Sequence, residues 1–271
     1  MARAPRLNGG QKGGVPRRLL LGGTGAWLAS PPLHASSASR LPPAAIPIDR
    51  LAVPWWRARF TAKAKELAQR PPGLVLYGDS IFQNFELTGP EPWRNFHPLW
   101  ERYFVPRQAI DLGFKGDATS HLLWRVMHGE ASGITPRVAM VLIGANNFGR
   151  LAWSAEDTER GILAVLEALR ARLPRTRLLL LGILPSGRGP VVAAKTAAVN
   201  ASLLRRFGND GEGPIVFLDL SPVFLKGGRL DESLFLDPLL TPPEPPLHPN
   251  VKGATWMMEA LAPTLLRLWR A

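Results

Sequence analysis

The 271-residue chain contains no cysteine, which removes disulfides, thiolate metal sites and a cysteine nucleophile without assigning a redox compartment. Acidic residues are scarce beside basic ones, 21 against 33, for a formal net charge of +12. Such an excess raises nucleic acid or an anionic membrane as a partner. No dense Lys/Arg block with interleaved aromatics occurs, so the excess reads as a solvated basic surface and nucleic acid is not expected. Long apolar runs are also lacking, since the stretch at 19–29 is too short to span a bilayer. No grouping of His, Asp and Glu has metal-ligand spacing, so no metal is expected. Internal repeats are absent. What remains is a chain 46% hydrophobic, long enough for one α/β domain with a substantial core.

Residues 1–38 follow the order of an export signal. Arg3, Arg6, Lys12, Arg17 and Arg18 stand without any acid, the apolar run follows, and Ser36 and Ala38 give a small-residue cleavage site. The paired Arg17-Arg18 resemble a twin-arginine signal, which implies a periplasmic or secreted protein with no membrane anchor once the signal is removed. The alternative is a basic tail with a chance apolar patch.

Beyond it, residues 41–54 are Pro- and Ala-rich and read as a linker or surface strap. Strands are expected at 74–77, 109–112, 137–143, 177–184 and 215–219. Helices are expected at 55–69, 93–103, 118–128, 155–173 with Ser154 as cap, 195–207 and 251–269. That alternation predicts a parallel, doubly wound α/β sheet. The organising stretch is LVLYGDS at 74–80, a buried strand followed by a sharp turn that puts Ser80 at the strand's carboxyl end. Alone, Gly78-Asp79-Ser80 is equally an ordinary turn with a helix cap.

Glycine- or asparagine-rich turns follow the second and third strands as well, and His248-Pro249-Asn250 opens the last helix. Parallel strands bring these turns to one edge, and acyl transfer suits the set. Ser80 would attack and His248 would carry its proton, with the Ser80 amide and the Asn146 carboxamide facing an oxyanion. His97, His121 and His128 compete with His248, the latter two from within a helix. Asp79 and Asp117 are expected to hold turns through backbone N–H groups, Asp111 and Asp219 to close strands, and Asn147 to give a supporting hydrogen bond.

The stretches GDSIFQ (78–83), DLGFKGDATSHLLWRV (111–126), IGANN (143–147), LGILPSG (181–187) and LHPN (247–250) resemble the SGNH, or GDSL-like, hydrolase family over about residues 74–268. The resemblance implies a three-layer α/β/α sandwich around a five-stranded parallel sheet of flavodoxin type. It implies ester hydrolysis with no metal or organic cofactor, and adds the Gly116 amide to Ser80 and Asn146 as oxyanion donors. One position departs from the pattern: the family's Asp three residues before the histidine is here Pro245. Asp237 in LFLDPLL is taken first as the replacement acid, with 240–246 as an inserted bulge, and Glu244 is its alternative. A Ser–His dyad leaning on a backbone carbonyl is the third option.

The resulting expectation is an exported serine esterase for short-acyl, above all acetyl, esters of a small molecule, glycan or lipid, the acyl size coming from the resemblance alone. Acyl transfer to a cell-envelope polysaccharide and an inactive binding module are the alternatives. The domain organisation expected is a signal at 1–38, a linker and helix at 39–72, and the hydrolase domain at 73–271.

Overall fold

Leu74–Gly78 (β1), Ala109–Gly113 (β2), Val138–Leu142 (β3), Arg177–Leu181 (β4) and Ile215–Leu218 (β5) form one parallel sheet. Nearly every residue in them is apolar and buried, as strands covered on both faces must be. The strand order is β2-β1-β3-β4-β5. Gly78 pairs in register with Gly113 on one side and Leu142 on the other, so three strands end level. The winding reverses between β1 and β3, and that is where a crevice opens in such sheets.

These features come from a computed structural model that describes residues 41–89, 95–208 and 213–271. The expected export signal and Trp93 lie outside the described residues.

Alternate strand residues feed two cores. Leu74, Leu76, Met140 and Leu179 face α3 (His97–Tyr103) and α8 (Val251–Arg270), which bury Leu99, Met257 and Leu261 against them. Val75, Tyr77, Val141 and Leu180 face α4 (Thr119–Arg125), α6 (Ala155–Arg172) and α7 (Pro190–Phe207). This is the expected three-layer sandwich. Residues 41–73 belong to it rather than linking to it. Ala44 is fully buried with its carbonyl accepting from Thr119 Oγ1 at 2.8 Å, and Trp56 of α1 (Pro54–Gln69) is buried without remainder.

Several expected boundaries move, each for a local reason. α3 starts at His97, with Pro98 in its first turn where the missing N–H costs nothing. α7 likewise starts at Pro190, five residues ahead of the expected start. α4 ends at Arg125 and passes into a wider turn, Val126–Glu130, in which Gly129 has φ +121. β4 stops at Leu181 because Asn200 takes both backbone groups of Ile183, at 2.9 Å each. Ser154 does cap α6, accepting from the Asp157 N–H at 2.9 Å. Two short helices, α2 (Ser80–Gln83) and α5 (Ala145–Gly149), stand where turns were expected.

Asp111 lies inside β2 with no exposure. Its Oδ1 accepts from the Gly113 N–H at 2.6 Å and its Oδ2 has no partner among the described residues. Burial pushes its carboxyl up to about 7, the nearby Glu86 adding to the effect against Arg59 and Lys63. The folded pKa then exceeds the unfolded value near about 4, so the folded state binds the extra proton and stability falls as pH rises between the two. Asp111→Asn is expected to flatten that decline by on the order of 4 kcal/mol between pH about 4 and about 7. Urea midpoints across that range check it, and an unchanged slope would contradict it.

Candidate active site

After β1, Asp79 accepts from the Ile81 N–H at 3.0 Å and caps α2, leaving Ser80 as the helix's first residue at the crevice. The Ser80 N–H therefore has no carbonyl within its own helix to bond. The Ser80 Oγ stands 2.9 Å from His248 Nε2.

His248 is held from the other end of the chain. Asn250 caps α8 by accepting from the Gly253 N–H at 3.0 Å, while its own amide donates to the carbonyls of Ser233 and Phe235. The Leu236 N–H donates to the His248 carbonyl at 2.7 Å and the Asn250 N–H to the Leu234 carbonyl at 2.9 Å. Residues 234–237 and 248–250 thus run side by side, with 240–246 looped out between them.

That pairing delivers Asp237 to the imidazole. Its Oδ1 lies 2.5 Å from His248 Nδ1, and its Oδ2 accepts from the N–H groups of His248 at 2.6 Å and Leu247 at 2.7 Å. Burial pushes this carboxyl up, but its bond to the imidazole, the imidazole's charge and the two amides pull it further down, so it sits below the usual range. A carboxylate can only accept, which assigns the proton to Nδ1 and leaves Nε2 as the acceptor facing Ser80. Glu244 is exposed at the same cavity, and its backbone N–H donates to the Asp237 carbonyl at 3.0 Å.

Ser80, Gly116, Asn146, Asp237 and His248 line one cavity of about 570 Å³. Gly116 has φ +74, the left-handed region that favours glycine, and its N–H has no acceptor among the described residues. Asn146 Nδ2 donates to the Asp117 carbonyl at 3.0 Å and reaches Asp79 Oδ2 at only 3.4 Å. Burial pushes the Asp79 carboxyl up to about 6, against the Ile81 N–H that favours its charged form. Asn147 has the supporting place expected of it, accepting from the Thr119 N–H at 3.1 Å and donating to Thr119 Oγ1 at 2.8 Å.

Asp117 corrects an expectation. Its carboxylate is fully buried and takes side chains rather than turn N–H groups: Arg50 at 2.8 Å, Trp56 Nε1 at 2.8 Å and Arg125 Nε at 2.9 Å. Three positive or polar donors stabilise it where backbone donors alone would leave one oxygen short. Arg125, also fully buried, donates to the carbonyls of Gly78 and Leu112 and to Glu130, and so ties the ends of β1 and β2 to the loop bearing Gly116. The three competing histidines are elsewhere: His121 caps α4 by accepting from the Ala118 N–H at 2.9 Å, His128 stacks on Trp124, and His97 is exposed near Glu101. Sequence reading missed Arg125 and the cavity residues Lys115, Arg150 and Arg188. For Arg125 a signal existed, a lone charge inside the apolar LLWRV run of a helix.

Among the described residues, no helix is long and apolar enough to cross a membrane, and no group of three His, Asp or Glu side chains could hold a metal ion. A flavodoxin-like sheet with a serine, an imidazole and a buried carboxylate in hydrogen-bonded series at its carboxyl edge is the build of a hydrolytic enzyme. Residues 76–256 match the GDSL-like lipase/acylhydrolase family, and the chain belongs to it and is an esterase-type hydrolase. It is 32% identical over 212 residues to the platelet-activating factor acetylhydrolase IB subunit alpha1 of Bos taurus, covering 78% of this chain and 81% of that one. Similar solved structures include a GDSL-like lipase from Bacteroides thetaiotaomicron (TM-score 0.60, 16% identity, 78% of this chain and 98% of that one). Another is a carbohydrate esterase family 3 protein from Talaromyces cellulolyticus (TM-score 0.51, 18% identity, 73% of this chain and 97% of that one). At these identities the likeness to the two structures is one of fold.

Proposed function

We propose that the chain is a serine esterase that removes short acyl groups, acetyl above all, from alcohols. The observation that carries this reading is the series from Ser80 Oγ to His248 Nε2 at 2.9 Å and from Nδ1 to Asp237 at 2.5 Å. In this reading Nε2 takes the hydroxyl proton as Oγ attacks the ester carbonyl, and the displaced electron pair settles on the carbonyl oxygen. The amides of Ser80 and Gly116 and one N–H of Asn146 meet that oxyanion, the Asn146 hydrogen being the one that only weakly engages Asp79. Collapse expels the alcohol, which takes its proton from the imidazolium. Water then attacks acyl-Ser80 by the same route and releases the carboxylic acid. Asp237 stays ionised throughout and stabilises the imidazolium.

The acetyl preference is supported by the name of the Bos taurus relative, an acetylhydrolase. The order of basic, apolar and small residues in 1–38 supports export of this esterase, which cell fractionation checks. A nitrophenyl ester series graded by acyl length tests the catalytic reading. Acetate is expected to exceed octanoate by roughly tenfold or more in kcat/KM, a difference of about 1.4 kcal/mol in transition-state binding. A fluorophosphonate is expected to label Ser80, because only an activated serine reacts quickly. A chain that neither hydrolyses these esters nor takes the label is an inert binding module.

A further inference from the structure

We propose that this site selects esters whose alcohol portion carries a negative charge, a carboxylate or a phosphate, close to the acyl group; the inference rests on the esterase reading above. The cavity carries three cationic side chains, Lys115, Arg150 and Arg188, and none of them has a carboxylate partner among the described residues. Several cations elsewhere in the fold are neutralised, since Arg59 and Lys63 share Glu86, Arg70 meets Glu66, and Arg125 meets Asp117 and Glu130, whereas Arg107 donates only to the Tyr103 carbonyl among the described residues. The cavity's own acids offer little in return. Asp237 is taken by the imidazole and two amides, and Glu244 is exposed.

Arg188 is the telling member. It is half-buried, donates from Nη2 to the Ala145 carbonyl at 2.9 Å, and has an Nε shut away from water with no acceptor among the described residues. The Asp79 and Asp237 carboxylates attract this guanidinium only from beyond ion-pair distance, so it has lost hydration without a hydrogen-bonded counter-charge, and an arriving anion supplies one. Two glycines leave room for the guanidinium groups. A β-carbon at Gly149 would stand 2.6 Å from Arg188 Cζ, and one at Gly116 would stand 2.7 Å from Arg150 Nη1. The two arginines therefore overlie the short helix α5, which carries Asn146, and the loop with the Gly116 amide, so an anion they hold sits beside the scissile ester. The planar, multi-donor guanidinium matches carboxylate and phosphate oxygens alike. If these cations acted only on the developing oxyanion, neutral and charged esters would gain equally, and that difference is measurable.

The experiment uses the full chain and two matched pairs, following acetate release. One pair is an acetylated methyl glucuronoside and the corresponding acetylated methyl glucoside; the other is acetylglycerol phosphate and acetylglycerol. In at least one pair the charged member is expected to be preferred by roughly tenfold in kcat/KM, chiefly through KM, with the preference shrinking as salt is raised. The pair that shows it names the anion. Arg188→Gln is expected to bring the charged-to-neutral ratio toward one, and so is Gly149→Ala, which displaces the guanidinium without removing its charge; Arg150→Gln gives a second charge-removing variant should Arg188→Gln not fold. Equal kcat/KM within both pairs, or a preference untouched by Arg188→Gln and Arg150→Gln, overturns the inference while leaving the esterase reading intact. No hydrolysis of any member together with no fluorophosphonate labelling removes the esterase reading itself, and this inference with it.

Discussion

Ser80→Ala is expected to lower ester turnover by a factor on the order of 10⁴–10⁶ while leaving the fold in place. Both halves follow from what the side chain touches. The Ser80 Oγ has His248 Nε2 as its hydrogen-bond partner, whereas the turn that presents it is held by the Asp79 carboxylate on the Ile81 N–H and by β1. Removing one hydroxyl at a crevice position gives up a single hydrogen bond, roughly 1 kcal/mol, and leaves an imidazole that the cavity can hydrate. In the proposed mechanism, chemistry then loses everything that depends on a covalent acyl intermediate, while the proposed oxyanion donors and the cavity remain and account for what is left. Nitrophenyl acetate turnover beside a thermal unfolding midpoint separates the two effects. Activity within about tenfold of the wild type would remove Ser80 from the nucleophile's role.

The reach of the sequence is set by how local each determinant is. The five strands are legible because each is a short apolar run between turn residues, and a strand buried on both faces needs nothing more. Ser80 and Asn146 are legible because the turns that present them are contiguous with those strands. The end of β4 is not, since the residue that stops it, Asn200, lies 17 positions beyond the Ile183 it binds. Asp117 misleads for a similar reason: its position in a glycine-flanked turn predicts backbone partners, but Arg50, Trp56 and Arg125 come from three other parts of the chain. Arg188 reaches the cavity only because the loop after β4 folds back onto the Ala145 carbonyl and Gly149, which no spacing announces. The choice among Asp237, Glu244 and a dyad stays open in the sequence because it turns on the pairing of 234–237 with 248–250 across a proline-rich loop. That pairing is made by backbone groups, which all residues share.

Asp237→Asn is expected to reduce kcat/KM by about 10⁴, and Glu244→Gln by no more than about threefold. The larger number comes from a tautomer. Two N–H groups, those of Leu247 and His248, point at Asp237 Oδ2 and require an acceptor there. An asparagine therefore turns its oxygen toward them and presents its NH₂ to His248 Nδ1. A donor facing Nδ1 requires that nitrogen to be unprotonated, so the ring proton moves to Nε2, and Nε2 then donates toward Ser80 rather than receiving its proton. The histidine stays in position while its role is inverted. Acidification does not imitate the substitution over ordinary pH, because the imidazole and the two amides hold the Asp237 carboxyl below the usual range despite its burial. The sign of the stability effect follows from the same shift: a depressed folded pKa contributes stability above the unfolded value near about 4, lost as pH falls through the folded one. Glu244, by contrast, is exposed and meets the site through its backbone N–H to the Asp237 carbonyl, which its amide variant keeps. Paired kinetics of the two variants decide between the acids. A loss larger in Glu244→Gln than in Asp237→Asn would transfer the role to Glu244, and near-wild-type rates in both would leave the imidazole oriented by backbone alone.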